Sequence, residues 1–236
     1  MFYIYLIIFY LLFIWLANRN ICWGIYLSLF FLPAYQIRYQ VFGIPGTLLE
    51  GMIWLLFIIW LLKLKKEKNL TFNPIKIIKN IINSQSSNLN PQNPILKNFR
   101  LPIILFLIAA TISTFISPEL TKALGIWRAY FVEALLFFIV FVYNIKTLEQ
   151  AKNIIRILGG LTIAIGLFAI YQKLTGALIP EPLWSAIATR RVTTFFSYPN
   201  ASALLIAPII LLTIGNLLTD FKSGIGNRES LISNLG

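Results

Sequence analysis

Seven apolar runs of 14 to 19 residues recur along the chain, separated by short polar breaks, and this pattern predicts a bundle of about seven transmembrane helices. A helix rises 1.5 Å per residue, so a bilayer core of about 30 Å asks for roughly 20 mostly apolar residues, and somewhat shorter cores are tolerated. The predicted spans are Phe2–Ala17, Cys22–Tyr35, Thr47–Leu64, Leu101–Ile116, Leu124–Val142, Ile157–Tyr171 and Ala201–Leu218. Phe2–Ala17 reads as a span and not a signal peptide, because no basic stretch precedes it and no small-residue cleavage site follows. The fold class expected is therefore an all-α, polytopic membrane protein with one transmembrane domain over residues 1–236.

The polar breaks differ in kind. Gln36–Gly46 holds Pro45 and two glycines and predicts a brief connection. Lys63–Arg100 carries eight basic residues and predicts a long cytoplasmic loop. Within it, Ser84–Pro94 is a turn-rich polar stretch, and Pro74–Ile82 has the pattern of a short amphipathic helix lying on the membrane. Ser117–Ala123 is a brief loop. In Tyr143–Arg156, Leu148, Ala151 and Ile155 fall at helical spacing, which predicts a second interfacial helix. Gln172–Pro199 is a longer loop, and Thr219–Gly236 a polar tail.

Composition strengthens this reading. The 236 residues are 58% hydrophobic and only 12% charged, with a mean hydropathy of +0.79. Soluble domains carry about a quarter charged residues, so lipid has to cover much of this surface. The net charge of +12 would suggest nucleic acid in a soluble protein. Here it reflects the excess of Lys and Arg in cytoplasmic loops, and no nucleic-acid partner is expected. With Lys63–Arg100 inside and seven spans, fourteen basic residues fall on the inner side and six on the outer. That arrangement places the N-terminus outside and the C-terminus inside.

Cys22 is the single cysteine, and there is no histidine. An intramolecular disulfide, a Cys/His metal site and histidine acid–base catalysis are thereby excluded, and neither metal nor cofactor is expected. No glycine-rich phosphate loop and no nucleophile-elbow motif occurs.

Two features carry candidate chemistry. Arg190-Arg191 stands on the outer side, against the prevailing bias, and leads through Val-Thr-Thr-Phe-Phe-Ser-Tyr-Pro to Asn200 at the start of the last span. Asn200 suits a helix N-cap. An open helix N-terminus with two guanidinium groups beside it would take a phosphate or diphosphate. The same residues would also serve as a plain cap and as arginines on lipid headgroups. The second feature is Glu133, an ionisable group inside the fifth span, where it should face the bundle interior. At regular helical spacing Tyr130 shares its face, and Arg128 points about 140° away. Glu133 would serve either as an acid–base group or as a structural partner between helices. Glu50, at the outer start of the third span, should be solvated and favourable to the helix dipole, and Glu181 in the outer loop should also be solvated.

The stretch Arg191-Val-Thr-Thr-Phe-Phe-Ser-Tyr-Pro-Asn-Ala-Ser-Ala-Leu-Leu-Ile-Ala-Pro208 resembles the O-antigen ligase and polymerase family, in which an outward Arg, a Phe and Pro-Asn precede a helix of small residues. Trp127-Arg128-Ala-Tyr-Phe-Val-Glu133 is similar to a mid-bundle helix of that family, and the resemblance covers roughly residues 100–218. It implies transfer of a glycan from a polyprenyl diphosphate donor to an acceptor hydroxyl, without a metal, at the outer face of the inner (cytoplasmic) membrane. Arg191 would then grip the donor diphosphate and Arg190 assist, with Asn200, Arg128 and Glu133 as further substrate-binding candidates. The family has more spans and a large outer loop bearing further arginine and, in ligases, a histidine. This chain ends at Gly236 without one, so it reads as the leading part of such a protein, inactive alone. The competing expectation is a non-enzymatic transporter or lipid-binding subunit. The sugar, the acceptor and the oligomeric state are not encoded in these motifs.

Overall fold

A computed structural model of the chain describes residues 1–41, 44–68 and 94–233. The helix foreseen at Pro74–Ile82 and nearly all of Ser84–Pro94 lie outside them. The described residues form two units, Met1–Ser28 with Ile37–Lys146, and Leu29–Gln36 with Thr147–Gly236.

The protein is mostly helical. Among the described residues, four stretches are long and apolar enough to cross a membrane, not seven: Phe2–Arg19, Leu120–Asn144, Leu148–Thr175 and Pro199–Thr219. The other three predicted spans fall short for separate physical reasons. Cys22–Tyr35 becomes a ten-residue helix, Ile21–Phe30, followed by the 3-10 segment Leu32–Gln36. Pro33 lacks an N–H and cannot continue the α-helical ladder, and ten residues reach only about 15 Å. Leu48–Lys68 is 21 residues long, but Glu50 and Lys63 confine its uncharged run to Gly51–Leu62, about 18 Å. Pro94–Ile116 is helical throughout, but its apolar part is only Leu101–Ile116. The ends of the predicted basic loop are thus helical, since Lys63–Lys68 and Pro94–Arg100 belong to these two helices.

In the first unit the helices are α1 (Phe2–Arg19), all but the last two residues of α2 (Ile21–Phe30), α3 (Leu48–Lys68), α4 (Pro94–Ile116) and α5 (Leu120–Asn144). The predicted connection 36–46 contains the antiparallel strands β1 (Arg38–Val41) and β2 (Ile44–Thr47). Gln40 pairs with Pro45 in this register. Proline is tolerated because a two-stranded ladder consists only of edge strands. The hairpin feeds α3 through a capping box: Glu50 N donates to Thr47 Oγ1 and Thr47 N to Glu50 Oε2.

Side-chain contacts give the helix directions. Tyr10 Oη donates to Leu48 O, and Lys63 Nζ to Ala17 O, so α1 and α3 run the same way. Trp54 meets Glu133 and Trp60 packs edge-on against Tyr143, so α5 runs with α3. Parallel neighbours cannot be joined by a tight turn, so the chain must return between Arg19 and Arg38. The hairpin marks one end of this parallel trio; Arg19, Lys63, Lys65, Lys66 and Lys146 mark the other. Phe13, Ile25, Met52, Leu56, Trp60 and Val140 are buried between the helices. Tyr10 reaches Leu48 only because residue 51 is glycine; a Cβ there would collide with the phenol oxygen.

In the second unit, α6 (Leu148–Thr175) opens on a capping box between Thr147 and Gln150 and ends at Gly176, whose φ is 73°. The interfacial helix and sixth span predicted separately are one helix of 28 residues. No breaker divides them, because Gly159 and Gly160 weaken a helix without stopping it. The last helix, α7 (Pro199–Ser233), has 35 residues and absorbs most of the predicted polar tail. It packs on α6. Gly159 faces Thr213 there, with a built Cβ 3.8 Å from Thr213 Oγ1.

Candidate functional site

The five residues singled out in the sequence fall into two groups. Arg128 and Glu133 belong to the first unit; Arg190, Arg191 and Asn200 belong to the second.

Arg128 and Glu133 are brought together, against the helical-wheel expectation. Residues Arg128–Glu133 form a π-helical segment inside α5. Bonding from i to i+5 stacks residues five apart, whereas a regular α-helix would hold them about 140° apart. Arg128 Nε therefore lies 3.4 Å from Glu133 Oε1. The contact is an ion pair without hydrogen-bond alignment, since Nε is buried and makes no hydrogen bond. The same widening separates Tyr130 from Glu133: Tyr130 is exposed, while Glu133 is 2% exposed. Trp54 Nε1 donates to Glu133 Oε1 at 3.0 Å.

Arg128 also holds the hairpin end of the unit. Its Nη2 donates to Glu50 Oε2 at 3.0 Å and to Pro45 O at 3.2 Å. Glu50 is thus neither simply solvated nor only a helix-dipole partner, as predicted; it caps α3 and pairs with Arg128. Two carboxylates share one guanidinium. The Thr47-x-x-Glu50 box was a legible signal for the cap, whereas the pairing with Arg128 spans 78 positions and has no local signature. Trp54 likewise gave no sign of its partner.

In the second unit, Arg190 and Arg191 have different surroundings. Arg190 closes the C-terminus of α6: Nη1 donates to Lys173 O at 2.9 Å and Leu174 O at 3.0 Å. These are carbonyls that a helix end leaves without intrahelical partners. Its Nε donates to Ser185 O at 3.1 Å. Gly176 makes room for this, because a Cβ would sit 2.6 Å from Arg190 Nη2. Arg191 is exposed, and no hydrogen bond or ion pair holds its guanidinium among the described residues. Its backbone N donates to Trp184 O at 3.0 Å.

Beyond Arg191 the chain is fastened by a residue that the sequence reading left at a loop boundary. Gln172 is completely buried. Its Oε1 accepts from Thr193 N at 3.1 Å and Thr194 N at 2.7 Å. Its Nε2 donates to Leu178 O at 3.0 Å and Thr194 O at 3.2 Å. Thr194 takes a φ of 56°, and its hydroxyl bonds to Ser202 Oγ at 2.6 Å. Ser202 Oγ also donates to Thr193 O at 2.9 Å, tying the segment to the first turn of α7. Nothing in the local pattern distinguishes Gln172 from any polar residue at a helix end.

Asn200 does not occupy the predicted cap position. The helix begins at Pro199, which places Asn200 within its first turn. Proline at a first helical position fits because its missing N–H would lack a helical partner there. Asn200 is exposed. Phe195 stacks on Phe168 at 4.8 Å, and Phe168 on Tyr171 at 6.2 Å, forming an aromatic row beside the Arg191 segment. Among the described residues, no group of three His, Cys, Asp or Glu side chains could hold a metal ion. No family model matches the chain, and no curated protein or solved structure is found to be similar to it.

Proposed function

We propose that this membrane protein is of the O-antigen ligase and polymerase type and binds a polyprenyl diphosphate-linked glycan at the outer face of the cytoplasmic membrane. The observation that carries the reading is the pairing of an anchored Arg190 with an exposed Arg191, unpaired among the described residues, just ahead of the Thr-Thr-Phe-Phe-Ser-Tyr-Pro-Asn segment. A guanidinium with open donors matches a diphosphate, which it can grip with two parallel hydrogen bonds. In glycan transfer the acceptor oxygen bonds to the anomeric carbon. The bond from that carbon to the diphosphate oxygen breaks, its electrons leave with the diphosphate, and the hydroxyl proton passes to a base. Negative charge grows on the leaving group, and Arg191 would stabilise it there. Arg190 contributes by holding the segment through its Nε and Nη1 donors.

Binding of the donor is the direct measurement of the role proposed for Arg191. The full chain in nanodiscs should bind a polyprenyl diphosphate glycan, and Arg191→Ala should weaken binding at least about tenfold. Unchanged affinity would overturn the reading. Glu133, 2% exposed within a span, favours a second reading as a transporter. Under that reading Glu133→Gln would abolish solute uptake in proteoliposomes while diphosphate binding would be absent.

A further inference from the structure

The segment carrying Arg191 is fastened to α6 on both sides, and the two fastenings differ in chemistry. On the Arg190 side, the guanidinium of Arg190 binds the carbonyls of Lys173 and Leu174, while Lys173 Nζ donates back to Arg190 O at 3.1 Å. On the other side, one buried amide, Gln172, makes four hydrogen bonds to the backbone of Leu178, Thr193 and Thr194. Arg191 lies between these anchors, exposed, and its guanidinium has no hydrogen bond or ion pair among the described residues.

A surface loop bearing a ligand-binding arginine would ordinarily lose conformational freedom on binding, at a cost to affinity. Here that freedom is already removed. Thr194 stands at φ 56° and Leu178 at φ 61°, both in the left-handed region that non-glycine residues avoid. Gln172 bonds to both residues. Two unfavourable backbone conformations therefore persist where one buried side chain bonds to both, with Ser202 also bonding Thr194. We propose that Gln172 is a positioning residue: it touches no ligand, and it fixes the backbone from which Arg191 meets the donor diphosphate. This inference rests on the diphosphate reading of Arg191.

The amide is suited to this task in a way that near relatives are not. It offers a carbonyl oxygen for two N–H groups and an NH2 for two carbonyls. Glutamate would keep the acceptor and lose the donors. Leucine would lose both and leave the Thr193 and Thr194 N–H groups buried and unpaired. Asparagine would retain the chemistry and fall short by one methylene.

The test compares Gln172→Leu, Gln172→Glu and Arg191→Ala in the full chain in nanodiscs. It measures affinity per folded molecule for a polyprenyl diphosphate, with polyprenol as a control probe, and hydrogen exchange at the Thr193 and Thr194 amides. The expected result is about a tenfold weakening of diphosphate binding in Gln172→Leu. A smaller weakening is expected in Gln172→Glu, with lost protection at both amides and polyprenol binding unaltered. A role confined to stability would lower the folded yield and leave affinity per folded molecule unchanged; that outcome overturns the inference. If Arg191→Ala weakens binding and both Gln172 variants bind normally, the positioning role fails and the diphosphate reading stands. If Arg191→Ala binds normally, the diphosphate reading fails. The positioning role, which rests on that reading, then fails with it.

Discussion

The sharpest consequence of the first unit concerns Arg128→Met. This change removes a guanidinium shared by Glu133, which is 2% exposed, and Glu50, whose side chain is 17% exposed. Losing the charge-assisted bond to Glu50 costs about 1 kcal/mol, at the low end for such bonds because that end of the cluster is partly open to solvent. The larger loss is at Glu133, which among the described residues keeps only the Trp54 indole as a donor. Stranding a buried charge by removing its partner costs about 3–5 kcal/mol when the pair is fully enclosed. Arg128 is itself about a third exposed, so about 2 kcal/mol is the working figure for this end. The sum, about 3 kcal/mol, corresponds to a fall in Tm of roughly 6–12 °C for a chain of this size. The assay is thermal unfolding in nanodiscs, followed by near-ultraviolet circular dichroism. Adding Glu133→Gln to Arg128→Met should recover part of the loss, because the stranded charge is then gone. A double mutant as unstable as the sum of the two singles would refute the coupling. So would an Arg128→Met protein whose Tm falls by less than about 2 °C.

Two glycine substitutions probe the packing that positions each unit. Gly51→Ala should displace the Tyr10 phenol and break its bonds to Tyr39 and to Leu48 O. Overpacking of this kind costs about 1–3 kcal/mol, and chemical denaturation would detect it; wild-type stability would show that the phenol has another seat. Gly176→Ala places a Cβ at φ 73° and against the Arg190 guanidinium. Beyond about 1–2 kcal/mol for the left-handed backbone, it should loosen the Arg190 anchor, which faster hydrogen exchange at the Arg191 amide would report. Unchanged exchange there would separate Gly176 from the anchor.

The membrane character was legible from the chain alone, because a run of apolar residues has only one inexpensive place to go. The capping boxes of Thr147 with Gln150 and Thr47 with Glu50 are local signals that the sequence reading did not use, and the one cap it predicted, Asn200, stands inside the first turn of its helix. The number of spans was not legible. Whether Ile21–Phe30 and Leu48–Lys68 reach across depends on where Pro33, Glu50 and Lys63 cut the apolar run, and the parallel course of α1, α3 and α5 depends on contacts between distant residues.

The candidate site divides along the same line. Glu133 could be picked out because charge is unusual inside an apolar run, Arg190-Arg191 as a basic pair ahead of the last apolar helix, and Asn200 as a residue type favoured at helix starts. Which arginine is free was decided by tertiary structure: Arg190 finds the open carbonyls of α6, and Arg191 does not. The Arg128–Glu133 pair depended on a local departure from α-helical winding, which a wheel drawn at 100° per residue cannot show. Gln172 was the least visible of all. A glutamine at a helix end carries no signal until folding buries it and brings the backbone of Thr193 and Thr194 to its amide. Sequence patterns of this kind report the cost of leaving a group in the wrong solvent, and only the assembled fold reports which partner relieves that cost.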